Sequence, residues 1–249
     1  MNSRLKVFLA RDLYPLLSPI SAAVRRLAAP SGTPPLRLPK VRWSKVIPRQ
    51  RIQLAELSKS HGNVRSHELA VLASAAASVL PGEEIIEIGT FDGRTTLNLA
   101  LNAPPQSRVF TIDLPADATP AYTTGPTELD FIRKPEPGVR YKNYRGPGNE
   151  CRERIVQYTG DSATFDWAPH FGRAGLVFVD GAHAYDYVLH DSETAFRLVS
   201  SNGMVLWHDY GIWNGVTEAL NELEATRQMG LRHVRGTTLV VWKSTAPGW

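Results

Sequence analysis

Cysteine is almost absent from this chain. Cys151 stands alone among 249 residues, so no internal disulfide can form, and a reducing, cytoplasmic setting is the simplest expectation. Long hydrophobic runs are absent too. No stretch of eighteen apolar residues occurs, which excludes a transmembrane helix. The apolar run Val7–Ala10 is cut off by Arg11 and Asp12 and is too short for the core of a signal peptide. The G-x-G-x-x-G that cradles a dinucleotide pyrophosphate is missing, which argues against an NAD-dependent oxidoreductase. What remains is ordinary: 43% hydrophobic and 21% charged residues suffice for one α/β core and exclude wholesale disorder.

Charge is unevenly spread. Residues 1–51 hold eleven Lys or Arg against one acid, Asp12, giving this stretch about +10 and the rest about −6. A basic arm on an acidic body leaves weak association with an anionic membrane surface open. Aromatic residues are not interleaved with its basic ones, so nucleic acid is set aside as a partner. The bland alternative is an arm that packs on a second copy, in a homo-oligomer, or over the active site. Leu5, Phe8, Leu9, Leu13, Leu16 and Leu17 could share a helix face, disturbed by Pro15, and Pro30–Pro48 reads as an extended connector. The expected division is an arm and linker over 1–63 and a domain over 64–249.

From residue 64 the pattern becomes regular. Leu69, Leu72, Ala73, Ala76, Val79 and Leu80 fall at helical spacing, with Ser66 as N-cap and Pro81-Gly82 as the stop. Short apolar strands then alternate with helices. Strands are predicted at Ile85–Ile88, Val109–Ile112, Ile155–Tyr158, Leu176–Val179 and Met204–Trp207. Helices are predicted over 94–101, from Tyr185 to a stop at Asn202-Gly203, and around Val216–Leu223 with Gly230 as cap. A hairpin of Arg232–Val234 and Thr238–Trp242 follows. This alternation predicts an α/β, Rossmann-like doubly wound, mostly parallel seven-stranded sheet with a C-terminal antiparallel hairpin. Ligands in such sheets bind beyond the carboxyl ends of the strands, so the residues just after each strand carry the functional expectation.

The first such turn runs Glu87-Ile88-Gly89-Thr90-Phe91-Asp92-Gly93. Gly89 and Gly93 would let the backbone approach a ligand, and the acidic Glu87 suits a cationic ligand better than a diphosphate; an ordinary tight turn is the alternative. Asp113, at the end of the second strand, could accept both hydroxyls of a ribose or be a surface acid. Asp161 and Ser162 could read an adenine edge or cap a turn. Asp180 and His183 follow the fourth strand, and His208 and Asp209 the fifth. Four ionisable groups at adjacent strand ends point to chemistry, because burying unpaired charge is costly.

The strings EIIEIG-TFDG, FTIDLP, GDS, LVFVDGAHAYDYVLHD and NGMVLWHDY resemble class I S-adenosylmethionine-dependent methyltransferases over residues 64–243. Within that class they resemble small bacterial O-methyltransferases such as the macrolide-sugar enzymes, and cephalosporin hydroxylase-like proteins. The resemblance implies that Glu87, Gly89, Thr90, Phe91, Asp92 and Gly93 border S-adenosylmethionine. It implies that Asp113 holds the ribose, that Asp161 and Ser162 lie near the adenine, and that Asp180 also borders the cofactor. It implies His183 as general base, acting with Asp180 and Asp209. In metal-dependent members, groups matching Asp180, His208 and Asp209 hold magnesium. Histidine at 208 departs from that pattern, since magnesium prefers oxygen ligands; without a metal, Asp180 would orient His183. The implied acceptor is a hydroxylated small molecule such as a sugar. A non-catalytic methyltransferase-like binding module is the alternative. The long segment 114–154, with Tyr122, Tyr141 and Tyr144, is expected to act as a substrate lid.

Overall fold

The computed structural model describes residues 34–58, 62–125 and 136–244. The apolar face expected between Leu5 and Leu17 lies outside them. In chain order the elements are β1 (Lys40–Val41), α1 (Ser66–Ala76), β2 (Glu84–Ile88), α2 (Arg94–Asn102), β3 (Val109–Asp113), α3 (Val139–Asn143), β4 (Ile155–Thr159), β5 (Ala174–Val179), α4 (Tyr185–Leu198), β6 (Val199–Trp207), α5 (Asn214–Arg227), β7 (Arg232–Val234) and β8 (Val240–Lys243). Among the described residues no helix is long and apolar enough to cross a membrane.

The strands form one sheet in the order β1-β7-β8-β6-β5-β2-β3-β4. Strands β2 to β6 pair in parallel wherever they touch, while β8 runs antiparallel to both β6 and β7. The doubly wound expectation is met, with an eighth strand, β1, which lies parallel to β7. Helices cover both faces. Leu69, Leu72, Leu97 and Leu99 pack on one side with Ile85, Phe178 and Leu206. Val188, Leu198, Leu220 and Leu223 pack on the other with Ile86, Val177 and Val205. Cys151 is buried, and burial pushes its thiol up, as befits a bystander.

Residues 34–58 lie against this domain. Val46 and Ile47 are buried in the first core, and β1 covers the outer edge of β7. Tyr210 fastens the approach: its hydroxyl accepts the N–H groups of Arg37 (2.9 Å) and Leu38 (3.1 Å) and donates to Asn221 Oδ1 (2.7 Å).

Three local expectations are corrected. The N-cap of α1 is Arg65, not Ser66: the Glu68 carboxylate accepts the Arg65 N–H, so the acid at the third helical position supplies the cap. The Asn202-Gly203 pair does not end α4. The chain passes from Leu198 directly into β6, and Gly203 sits within that strand because a Cβ there would stand 2.5 Å from the Ala174 carbonyl oxygen. Helix α5 ends at Gln228, which takes the left-handed cap conformation (φ 49°), two residues before Gly230.

Candidate active site

The chain runs outward from β2 to β3 and β4, then returns to place β5 on the other side of β2. A crevice opens above the strand ends at such a reversal. Backbone hydrogen bonds lock the ends of β3, β2, β5 and β6 together: Gly89 N–H donates to Ile112 O (2.9 Å), Asp180 N–H to Ile88 O (2.8 Å) and His208 N–H to Val179 O (3.1 Å). Above them lies a cavity of about 930 Å³, counted out to its open mouth.

Of the residues singled out in the sequence, Gly89, Phe91, Asp113, Asp161, Ser162, Asp180, His183 and Asp209 line this cavity. The others stand behind it. Glu87 is fully buried; one carboxyl oxygen accepts the hydroxyls of Thr96 and Thr111 while the other has no partner. Burial raises its pKa to about 8. Thr90 is bonded to Thr111 (2.7 Å). Asp92 accepts from Asn63 Nδ2 and the Arg94 N–H and pairs with Arg140 (2.9 Å), so it ties the turn to the surrounding chain. Gly93 abuts Gly138. His208 is 4% exposed and lies beneath Asp180 and Asp209.

Two parts of the wall come from the insertion after β3. Leu114, Pro120 and Thr124 line the cavity, and the Ala121 N–H donates to Asp161 Oδ2 (2.8 Å) and Tyr187 Oη (2.9 Å). Residues 136–154 instead brace the first turn: Gly138 N–H donates to Phe91 O, and the buried Tyr141 donates to Gln157 Oε1.

Asp113 accepts the Phe91 N–H at 2.5 Å. Burial lifts its carboxyl to about 6, against the pull of the Phe91 and Leu114 N–H groups. Asp161 is held by the Tyr187 hydroxyl (2.6 Å) and the Ala163 N–H (2.9 Å). At the opposite wall the His183 ring stacks on Trp213, with centroids 4.5 Å apart and planes 13° apart, and His183 Nε2 lies 3.1 Å from Asp209 Oδ2. Asp209 itself has φ +62°, a strained setting of the kind that gathers at functional sites.

Beneath this pair is a buried network the sequence did not disclose. His208 Nδ1 lies 2.9 Å from Asp180 Oδ1 and 3.3 Å from Asp209 Oδ1, and His208 Nε2 lies 3.4 Å from Glu68 Oε2. Glu68 also accepts the Thr238 N–H (2.7 Å) and hydroxyl (2.9 Å). Burial alone would lower the His208 pKa, but the charges of Asp180 and Asp209 outweigh it and raise it well above the ordinary value. Burial alone would raise Glu68, yet its bond to His208, with Arg65 and Thr238, holds it below the usual carboxylate range. Asp180 is raised by burial, with His208 opposing. Neither Glu68 nor Trp213 was legible as a site residue. Glu68 reads as an ordinary first-turn acid, and Trp213 as one more apolar residue before a helix.

The lining chemistry discriminates between ligands. Four aspartates, 113, 161, 180 and 209, face the cavity, and no Lys or Arg is among the described lining residues. A dinucleotide diphosphate would meet only like charge there, whereas a ligand with a ribose, a cationic ammonium and a sulfonium is well matched. Glu87, below the Gly89 turn, keeps one carboxyl oxygen without a hydrogen-bond partner. The lining residues, Asp113, Gly89 and Asp180 among them, thus fit a ligand such as S-adenosylmethionine.

They do not fit magnesium at Asp180, His208 and Asp209. Magnesium needs near-octahedral oxygen ligands at about 2.0–2.1 Å, and the His208 ring already occupies the gap between the two carboxylates. Donor atoms of Asp180, His183 and Asp209 do lie within 4.8 Å of one another. An ion among them would have to displace the His183–Asp209 contact.

Comparisons with known proteins agree with this geometry. The model of a family described as a methyltransferase domain matches residues 86–210. A putative caffeoyl-CoA O-methyltransferase of Arabidopsis thaliana is 26% identical over 194 residues, covering 72% of this chain and 75% of that protein. The solved structure of the O-methyltransferase NovP superposes with a TM-score of 0.53 at 15% identity, over 73% of this chain and 81% of that one. A methyltransferase from Geobacter sulfurreducens gives 0.50 at 14% identity, over 74% and 81%. At such identities the two structures speak for the fold. The family match is the stronger finding: it takes in half of the chain, from β2 through Asp209, and so contains every strand end that builds the cavity. By that match the chain belongs to the class I S-adenosylmethionine-dependent methyltransferases.

Proposed function

We propose that this methyltransferase acts on a hydroxyl group of a small molecule, with His183 as the general base and Asp209 as its partner. The observation that carries the reading is His183, stacked on Trp213 and paired with Asp209, on the wall of the cavity that also bears Asp113. An imidazole fixed by an aromatic face and a carboxylate is the arrangement a proton acceptor needs. The Arabidopsis relative and NovP both carry O-methyltransferase names, which supports oxygen as the accepting atom.

S-adenosylmethionine, when bound, supplies a methyl group already activated by its sulfonium. The chain's own residues then have three tasks. Asp113 and the Gly89 turn fix the donor. The wall of Leu114, Pro120 and Thr124, together with Trp213, excludes water and orients the acceptor. His183 takes the hydroxyl proton on its imidazole, and the Asp209 carboxylate, 3.1 Å from Nε2, stabilises the imidazolium that forms. Alignment of this kind can be worth roughly 7–11 kcal/mol at its upper end, and a placed base about 10²–10⁴-fold.

The test has two stages. Thermal unfolding with S-adenosylhomocysteine at saturation should show a stabilisation of about 2.7 kcal/mol at a hundredfold excess over Kd, with no response to NADH. Hydroxylated acceptors, sugars first, are then screened for methyl transfer. With an accepted substrate, His183→Ala should lose about 10²–10⁴-fold in turnover while still binding S-adenosylhomocysteine like the parent. Near-normal turnover in that variant would remove His183 from the mechanism.

A further inference from the structure

We propose that the His208 side chain fills the place of a divalent ion in this site, so that the protein binds its methyl donor without a metal. Two cavity-facing carboxylates, Asp180 and Asp209, approach each other at the ends of β5 and β6. Without a cationic or hydrogen-bonding partner between them, their proximity would be costly. His208 stands between them from below, hydrogen-bonded to Asp180 Oδ1 at 2.9 Å and at ion-pair distance, 3.3 Å, from Asp209 Oδ1. The His208 ring therefore stands where an ion drawn to these two oxygens from below would sit, and it offers a nitrogen where magnesium favours oxygen.

Glu68 keeps the ring in this position. It reaches His208 Nε2 from the first turn of α1 at 3.4 Å, and is anchored by Thr238, whose N–H and hydroxyl donate to its other oxygen. Each ring nitrogen therefore faces a carboxylate, and turning the ring away would break the His208 contacts with Asp180 and Glu68 together. Glu68 is thus a positioning residue for Asp180 and Asp209, acting through His208. His183, stacked on Trp213, meets the network at Asp209 Oδ2, 3.1 Å from its Nε2.

The experiment uses the full chain saturated with S-adenosylhomocysteine and titrates manganese as a paramagnetic stand-in for magnesium, read by the free-ion resonance signal and by the unfolding midpoint. The parent protein should take up no ion at the site, and its midpoint should be the same in chelator as in manganese. His208→Asp, which removes the ring and restores a carboxylate, should take up one ion per chain and unfold at a higher temperature with manganese than with chelator. One ion per chain in the parent, lost in Asp180→Asn, would overturn the proposal. So would a folded His208→Asp protein that gains no ion. If that variant does not fold, the parent titration with its Asp180→Asn control still decides. The proposal concerns the cavity assigned to the methyl donor, and binding of S-adenosylhomocysteine, scored in the same samples, tests that assignment separately.

Discussion

Replacing Gly89 by alanine probes the closest approach in the site. Gly89 has φ +102°, and a Cβ built on it would stand 2.2 Å from the Asp180 carbonyl oxygen and 2.6 Å from its carbon. Side-chain carbons essentially never come within 3.0 Å of such an atom, so the β2 and β5 ends must separate by about 0.8 Å or more. They cannot do so freely, because Asp180 N–H is bonded to Ile88 O and Gly89 N–H to Ile112 O. A positive φ costs an L-residue roughly 1–2 kcal/mol, and loosening one ladder bond costs about 1 kcal/mol more. For a chain of this size the resulting 2–3 kcal/mol lowers the unfolding midpoint by roughly 4–12 °C. The same movement carries Asp180 away from its position, and a displacement near 1 Å can reduce turnover about 10²-fold. Calorimetric titration with S-adenosylhomocysteine and thermal unfolding read the two effects independently. A Gly89→Ala protein with the parent's midpoint and the parent's affinity would refute the close-approach argument, and with it the placement of the donor above this turn.

Two further outcomes follow from the buried polar groups. Tyr210→Phe deletes the acceptor of the Arg37 and Leu38 N–H groups and should destabilise the protein by about 1–3 kcal/mol in urea while exposing residues 34–58 to proteolysis; an unchanged digestion pattern would mean that the arm is held by other contacts. Folded Glu87 keeps its proton up to about pH 8, whereas the ordinary value is 4.5. The folded state therefore binds the extra proton between those values, and stability falls as pH rises through the window, by at most about 1.4 kcal/mol per unit. Glu87→Gln should remove that slope, so its advantage over the parent should widen from about pH 5 to about pH 8; parallel stability curves would refute the buried-acid assignment.

Much of the architecture was legible because a buried parallel sheet writes itself as short apolar runs. Ile85–Ile88, Val109–Ile112 and Leu176–Val179 could hardly be anything else, and the rule that ligands gather at strand carboxyl ends led straight to Asp113, Asp180, His183 and Asp209. What was lost depended on tertiary contact. The Asn202-Gly203 pair looks like a helix stop, yet the glycine serves the close packing of β6 on β5. Two residues of strand, Lys40–Val41, carry no periodicity in a Pro-rich basic stretch. Glu68 carries the signal of a capping acid, which it is, but nothing in a linear sequence says that the same carboxylate also meets His208, 140 residues on.

The pairing of β1 with β7 sets a timetable for synthesis. Lys40 and Val41 leave the ribosome early, but their partners, His233 and Val234, follow some two hundred residues later. Until residue 234 has emerged, the first strand has nothing to join, and the Tyr210 clamp beside Asp209 can hold only part of the arm. A nascent chain stopped after β6 would already contain the strand ends that build the cavity and still lack its sheet edge. Contacts this distant in sequence form slowly, so the basic arm stays available to chaperones, or to premature capture by another chain, for most of translation.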